Sequence, residues 1–218
     1  MAQSEPEYLM EIGGNIGLAA YEGDFNADIT KCNQPSIALT LRRLLNPRQG
    51  FKFQLGYATM KGSAKDNSTA YPDYNTHPWV DVDRTDGKFS NPLFDLNATY
   101  EYNFWPYGTG RDYRGAKRLT PYVAFGAGFT YVAGKGQSAF ALNLPLGVGM
   151  KYKVADRLNL NVEWMMHFTT TDKIDGVVDP YHIQSSGMFK NKDCYSSLMV
   201  GLTYSFMEKC RVCHNADE

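Results

Sequence analysis

One stretch of this chain constrains its fold more than any other. Phe94, Leu96, Ala98, Tyr100, Tyr102 and Phe104 interleave with Asp95, Asn97, Thr99, Glu101 and Asn103, so apolar and polar residues alternate strictly from 94 to 104. A period of two places one set on each face of an extended strand, and helical spacing is incompatible with it. At about ten residues, the stretch matches what a tilted strand needs to cross a bilayer.

The same signature recurs seven more times. Met10 to Ala20, Ile37 to Leu41, Phe51 to Tyr57, Val123 to Tyr131, Leu142 to Tyr152, Leu158 to Phe168 and Leu198 to Phe206 each set apolar residues against Gly, Asn, Thr and scattered charges. Strands are therefore expected near 8–20, 36–45, 51–61, 93–104, 121–132, 141–152, 158–169 and 196–206. Pro145 cannot donate to a ladder, and a bulge or local irregularity is expected there. The fold class is all-β, an eight-stranded antiparallel transmembrane β-barrel over 1–206, with a short tail over 207–218. A soluble barrel with a ligand cavity also alternates, but it turns its apolar face inward. Here the other face carries mostly small and amide side chains, which suits a packed polar lumen better than a solvated exterior.

Connections alternate in length. Those at 21–36, 62–92 and 172–194 are long, and those at 46–50 and 153–157 are short; 105–120 is intermediate and 134–140 short. Outer-membrane barrels have short periplasmic turns and long outside loops, so both termini and the tail are expected in the periplasm. Phe51, Phe104, Trp105, Tyr152 and Phe206 are expected at one membrane interface, and Tyr21, Tyr57, Tyr131 and Phe168 towards the other.

Composition limits the alternatives. No apolar run in the 218 residues is long enough for a membrane-spanning helix, and mean hydropathy is −0.41. A net charge of −1 gives no global basic field for nucleic acid. Met1 and Ala2 are read as the remnant of a removed export signal or as an introduced start.

In this register Glu11, Arg42, Lys52, Asp95, Glu101, Lys151, Glu163 and His167 all point inward. Eight strands leave a lumen just wide enough for side chains, and buried charges must be paired, so these residues are expected to form a polar plug, with an ion path or ligand site as the alternative. Glu163 and His167 share a face four residues apart and could form an acid/base pair. Without a matched nucleophile, enzyme activity is not expected. The acidic turns at Asp81–Gly87 and Asp24–Asp28 miss the calcium-loop spacing.

The four cysteines suit an oxidising compartment. Cys32 and Cys194 are candidates for a bridge across the barrel closure. Cys210 and Cys213 belong to Cys-Arg-Val-Cys-His, a haem-attachment pattern, but the tail offers no domain to enclose haem, so no cofactor or metal is expected. A disulfide between these two, or with a periplasmic partner, is the preferred reading. Arg111, Arg114, Lys117 and Arg118 make a basic connection that could meet lipid headgroups or an acidic partner, or simply be solvated.

Several pieces of the chain resemble one family. Glu11-x-Gly13, Gly17, Tyr21-Glu22-Gly23-Asp24, Glu101-Tyr102-Asn103-Phe104, Thr120-Pro121-Tyr122, Gly147 to Tyr152, Glu163-Trp164, Thr169 to Asp175 and Gly201 to Phe206 occur in order. Together they are similar to the PorG family of outer-membrane proteins of the Bacteroidetes type IX secretion system. The resemblance implies a non-enzymatic component in contact with outer-membrane lipid. It also implies docking, on the periplasmic side, to a ring of a PorK-like lipoprotein and a PorN-like protein. A small channel or ligand-binding barrel is the alternative.

Overall fold

The structure is a computed structural model that describes residues 6–22, 32–63, 88–109, 115–133, 138–170, 174 and 193–208. Eight strands follow one another: β1 (Tyr8–Glu22), β2 (Gln34–Asn46), β3 (Gln49–Ser63), β4 (Lys88–Asn103), β5 (Leu119–Ala133), β6 (Ser138–Lys153), β7 (Leu158–Thr169) and β8 (Cys194–Glu208). Every neighbouring pair is antiparallel, and β8 closes on β1 through a register that runs from Tyr8↔Glu208 to Glu22↔Cys194. Closure gives each strand two partners, so backbone amides and carbonyls are satisfied without water.

Solvation of the two faces is inverted relative to a soluble barrel. Ile16 (69 % exposed), Leu39 (66 %) and Phe140 (68 %) point outward, and on β6 the outward row from Phe140 through Leu142, Leu144, Leu146, Val148, Met150 and Tyr152 is apolar throughout. Such a continuous apolar surface far exceeds what water tolerates; its solvent is the hydrocarbon of a membrane. Inside lie Glu11, Arg42, Lys52, Glu101 and Lys151, each almost completely buried.

The strands are longer than the alternation alone delimits. β4 begins at Lys88 instead of near 93, β2 at Gln34, and β8 runs on to Glu208, beyond the expected tail boundary at 207. The extra length lies mostly at the end with the long connections, the loop end, where residues such as Ser90 and Lys61 carry no apolar signal. At Pro145 the β5–β6 ladder omits Gly126 and Ala127 and resumes in unchanged register. The recorded register shift lies instead between Leu44 and Asn46, at the tight β2–β3 turn.

Aromatic pairs sit on the outer surface near both ends. Phe51 meets Tyr100 edge-on at 5.5 Å, and Tyr57 meets Phe94 at 5.0 Å. Tyr21 is a correction: it is completely buried, because its odd number on β1 puts it in the inward row with Glu11 and Asn15.

Candidate functional site

The lumen is built in layers, each dictated by the inward row of every strand. Nearest the tight turns is a layer of six charges. Arg42 donates from Nη1 to Glu11 and from Nε to Glu101 at 2.7 Å, with a second contact from Nη2 to Glu101 Oε1 at 3.2 Å. Lys151 also binds Glu101, and Lys52 binds Glu163 while lying 3.7 Å from Glu101. The Tyr122 hydroxyl donates to Glu163 at 2.6 Å, and the Lys151 ammonium rests over the Tyr122 ring at 4.4 Å. Three cations face three carboxylates, so the layer is formally neutral. Cross-strand register explains part of it, since Arg42 lies opposite Glu11 on one side and Lys52 on the other. The remaining bonds cross the lumen.

Towards the loop end comes an amide layer. Asn15 donates to Thr40 at 2.6 Å, Asn161 donates to Asn15 at 3.1 Å, and Asn97 donates to Asp95 at 2.6 Å. Asp95 is buried, as its inward parity implies, but makes no ion pair among the described residues and lies apart from the charge layer. His167 lies flat on Tyr195, ring centroids 4.2 Å apart, while Glu163 is held by Lys52 and Tyr122. The acid/base pair considered from sequence is therefore not made, because both groups have other partners.

Sequence reasoning missed the cap at the loop end. There the inward rows turn apolar, and Tyr21, Met60, Phe89, Leu93, Val132 and Tyr195 pack with Ile174 from the β7–β8 connection. Asp193 pins that connection: Tyr21 donates its hydroxyl to one carboxylate oxygen at 2.6 Å and the Ile174 amide donates to the other at 2.9 Å. Asn91 donates to the Ile174 carbonyl at 3.0 Å. Leu93 and Val132 occupy inward parity positions, so alternation could have found them; Ile174, in a loop, gave no periodic signal.

The turn end is closed as well. The β4–β5 connection folds back on itself, with Lys117 N donating to Pro106 O at 2.7 Å and Gly108 N to Lys117 O at 3.1 Å. This places Tyr107 (7 % exposed) across the mouth, its hydroxyl donating to Asn159 at 2.9 Å and its amide to Pro47 O at 2.9 Å. Burial pushes the Tyr107 hydroxyl far above its ordinary range, with the Glu11 carboxylate adding to the effect, so it stays a donor. Lys153 sits between the Tyr107 and Tyr8 rings, 5.3 and 5.7 Å from their centroids.

Of the basic connection, Lys117 and Arg118 are exposed; Lys117 lies over the Trp105 ring at 4.9 Å, and Arg118 donates to the Thr109 carbonyl at 3.1 Å. Arg111, Arg114, Cys210 and Cys213 fall outside the described residues. The Cys32 to Cys194 bridge is corrected: the two are not joined. β8 does adjoin β1, but Cys32 precedes β2, on the other side of β1. Two strand spacings of roughly 4.8 Å already exceed the Cα separation a disulfide spans.

Neisserial surface protein A superposes with a TM-score of 0.55 at 13% identity, covering 90% of this chain and 97% of that one. Outer membrane protein OprG of Pseudomonas aeruginosa gives 0.49 at 12% identity, over 94% and 99% of the two chains. Ail, the attachment invasion locus protein of Yersinia pestis, gives 0.47 at 14% identity, over 93% and 99%. No curated protein matches. At such identity the first of these speaks for the fold, that of an eight-stranded outer-membrane barrel. A family model described as a domain of unknown function, DUF6089, matches residues 2–215. The chain is therefore a member of the DUF6089 family.

Proposed function

We propose that this protein is a non-enzymatic outer-membrane scaffold of the type IX protein secretion machinery, of the PorG kind. Its termini and turn end face the periplasm and dock on a ring of a PorK-like lipoprotein and a PorN-like protein. The observation that carries this reading is the contrast between lumen and turn end. The lumen is filled by a neutral charge layer and capped by Ile174, which suits an anchor and not a conduit. The turn end, by contrast, presents a ledge with backbone bonds of its own and exposed Lys117 and Arg118.

Several residues that carry the family resemblance lie in the lumen. Glu11, Glu101, Lys151 and Glu163 belong to the charge layer, Tyr122 donates to it, and Tyr21 and Ile174 belong to the cap. In this reading Cys210 and Cys213 extend the docking surface and are available for an intermolecular disulfide.

Affinity purification from native membranes tests the proposal. A PorK-like lipoprotein and a PorN-like protein should co-purify with the wild type and fall about tenfold with the double variant Lys117→Glu, Arg118→Glu, each charge reversal weakening a steered contact. Absence of both from the wild-type preparation would overturn it. Non-reducing gels of Cys210→Ser and Cys213→Ser test the tail, and unchanged complexes would remove the disulfide.

A further inference from the structure

The outward faces of the strands are apolar between the aromatic ends, and one exception lies on β2. Its outward row reads Ile37, Leu39, Leu41, Arg43, Leu45. Arg43 is exposed, and its partners across the two ladders, Met10 and Phe51, point outward as well. Four apolar neighbours therefore surround it: Leu41 and Leu45 along the strand, Met10 and Phe51 across it. Among the described residues no hydrogen bond or ion pair engages its guanidinium, whereas Arg42, one residue away, is fully engaged inside the barrel.

A guanidinium carries five donors and does not lose its charge, so in this setting it must find an acceptor or reach water. Its position decides which. Arg43 is one strand repeat from Leu45, and the β2–β3 turn follows directly, so the side chain sits just inside the apolar band where a long basic side chain can extend to the interface. Phe51 and Tyr100 mark that interface beside it. Because it projects sideways from the wall, a protein approaching the turn end does not meet it; lipid does. The groups at that depth are headgroup phosphates, and planar guanidinium pairs with phosphate oxygens in a two-point contact. The basic residues Arg48, Lys117 and Arg118 belong to the turn-end connections and not to the strand wall, and each has a contact of its own: Arg48 with the Phe104 carbonyl at 2.7 Å, Lys117 with the Trp105 ring and Arg118 with the Thr109 carbonyl.

We propose that Arg43 is a lipid-binding site that grips the phosphate of a membrane phospholipid from the flank of the barrel and so fixes the depth of the turn end in the bilayer. The site is independent of the docking role proposed above.

The test is solid-state NMR on the whole protein, uniformly ¹³C-labelled at arginine and reconstituted into vesicles of phosphatidylethanolamine with phosphatidylglycerol. Dephasing of arginine Cζ by lipid ³¹P is measured for the wild type, Arg43→Gln and Arg43→Lys, each first shown to be a closed barrel by heat-modifiable gel migration. The expected result is one Cζ resonance dephased in the wild type and lost in both variants. If no wild-type resonance is dephased, or if the dephased resonances are unchanged in both variants, the assignment is overturned. Using purified protein without partners keeps this outcome separate from any failure of the docking proposal.

Discussion

At the scale of single residues, Glu101 holds the lumen together. It accepts from Arg42 and Lys151 and lies near Lys52, while being 1 % exposed. Converting it to Gln leaves three buried cations facing two carboxylates, and breaking a buried pair in this way costs about 3–5 kcal/mol. Urea unfolding of Glu101→Gln in vesicles should show a loss of that order. Glu11→Gln should lose less, because Arg42 keeps both contacts to Glu101. The inward membership of these charges was legible in the sequence, since parity along a strand is enough to assign it. Their partners were not: Lys52 and Glu163 are 111 residues apart, and which side chains meet across a lumen depends on strand stagger, which alternation does not encode. Asp95 and His167 show the limit, inward as expected but outside the charge layer.

At the scale of elements, the seam between β1 and β8 is set by glycine. A Cβ on Gly13 would lie 2.7 Å from Thr203 Cα and closer still to the Leu202 carbonyl oxygen, and one on Gly17 would lie 2.7 Å from Met199 Cα. These are backbone atoms that cannot swing away, so Gly17→Val should cost at least 1–3 kcal/mol and lower the fraction of chain that closes, read as heat-modifiable migration after refolding. The β4–β5 connection behaves as an element too. Tyr107→Phe removes only the bond to Asn159, which retains Lys153 at 3.2 Å, and should cost about 1 kcal/mol. Tyr107→Ala also empties the turn-end mouth and should cost about 3–5 kcal/mol, measured by the same urea midpoint. The fold-back and the Ile174 plug of the loop-end cap were not visible in a search for alternation, because Tyr107 and Ile174 lie in connections, whereas the strand members of the cap, Leu93 and Val132 among them, follow inward parity. The error over Cys32 and Cys194 arose at this scale as well, from placing a residue before β2 as though it neighboured β8.

At the scale of the whole molecule, the sequence was most legible where one physical rule acts along the entire chain. Eight alternating segments, an apolar exterior and a closed antiparallel order all follow from satisfying every backbone group while presenting hydrocarbon to lipid. What the rule does not reach is the interior at the loop end, where inward rows change from polar to apolar: Lys52, Gln54 and Gly56 give way to Ala58 and Met60 on β3, and Asp95 gives way to Leu93 on β4. With Tyr107 at one mouth and Ile174 at the other, the lumen should not conduct. Planar-bilayer recording of the purified barrel tests this: a flat baseline is expected for the wild type, and steady conductance abolished by Glu163→Gln would show that the lumen is a conduit after all.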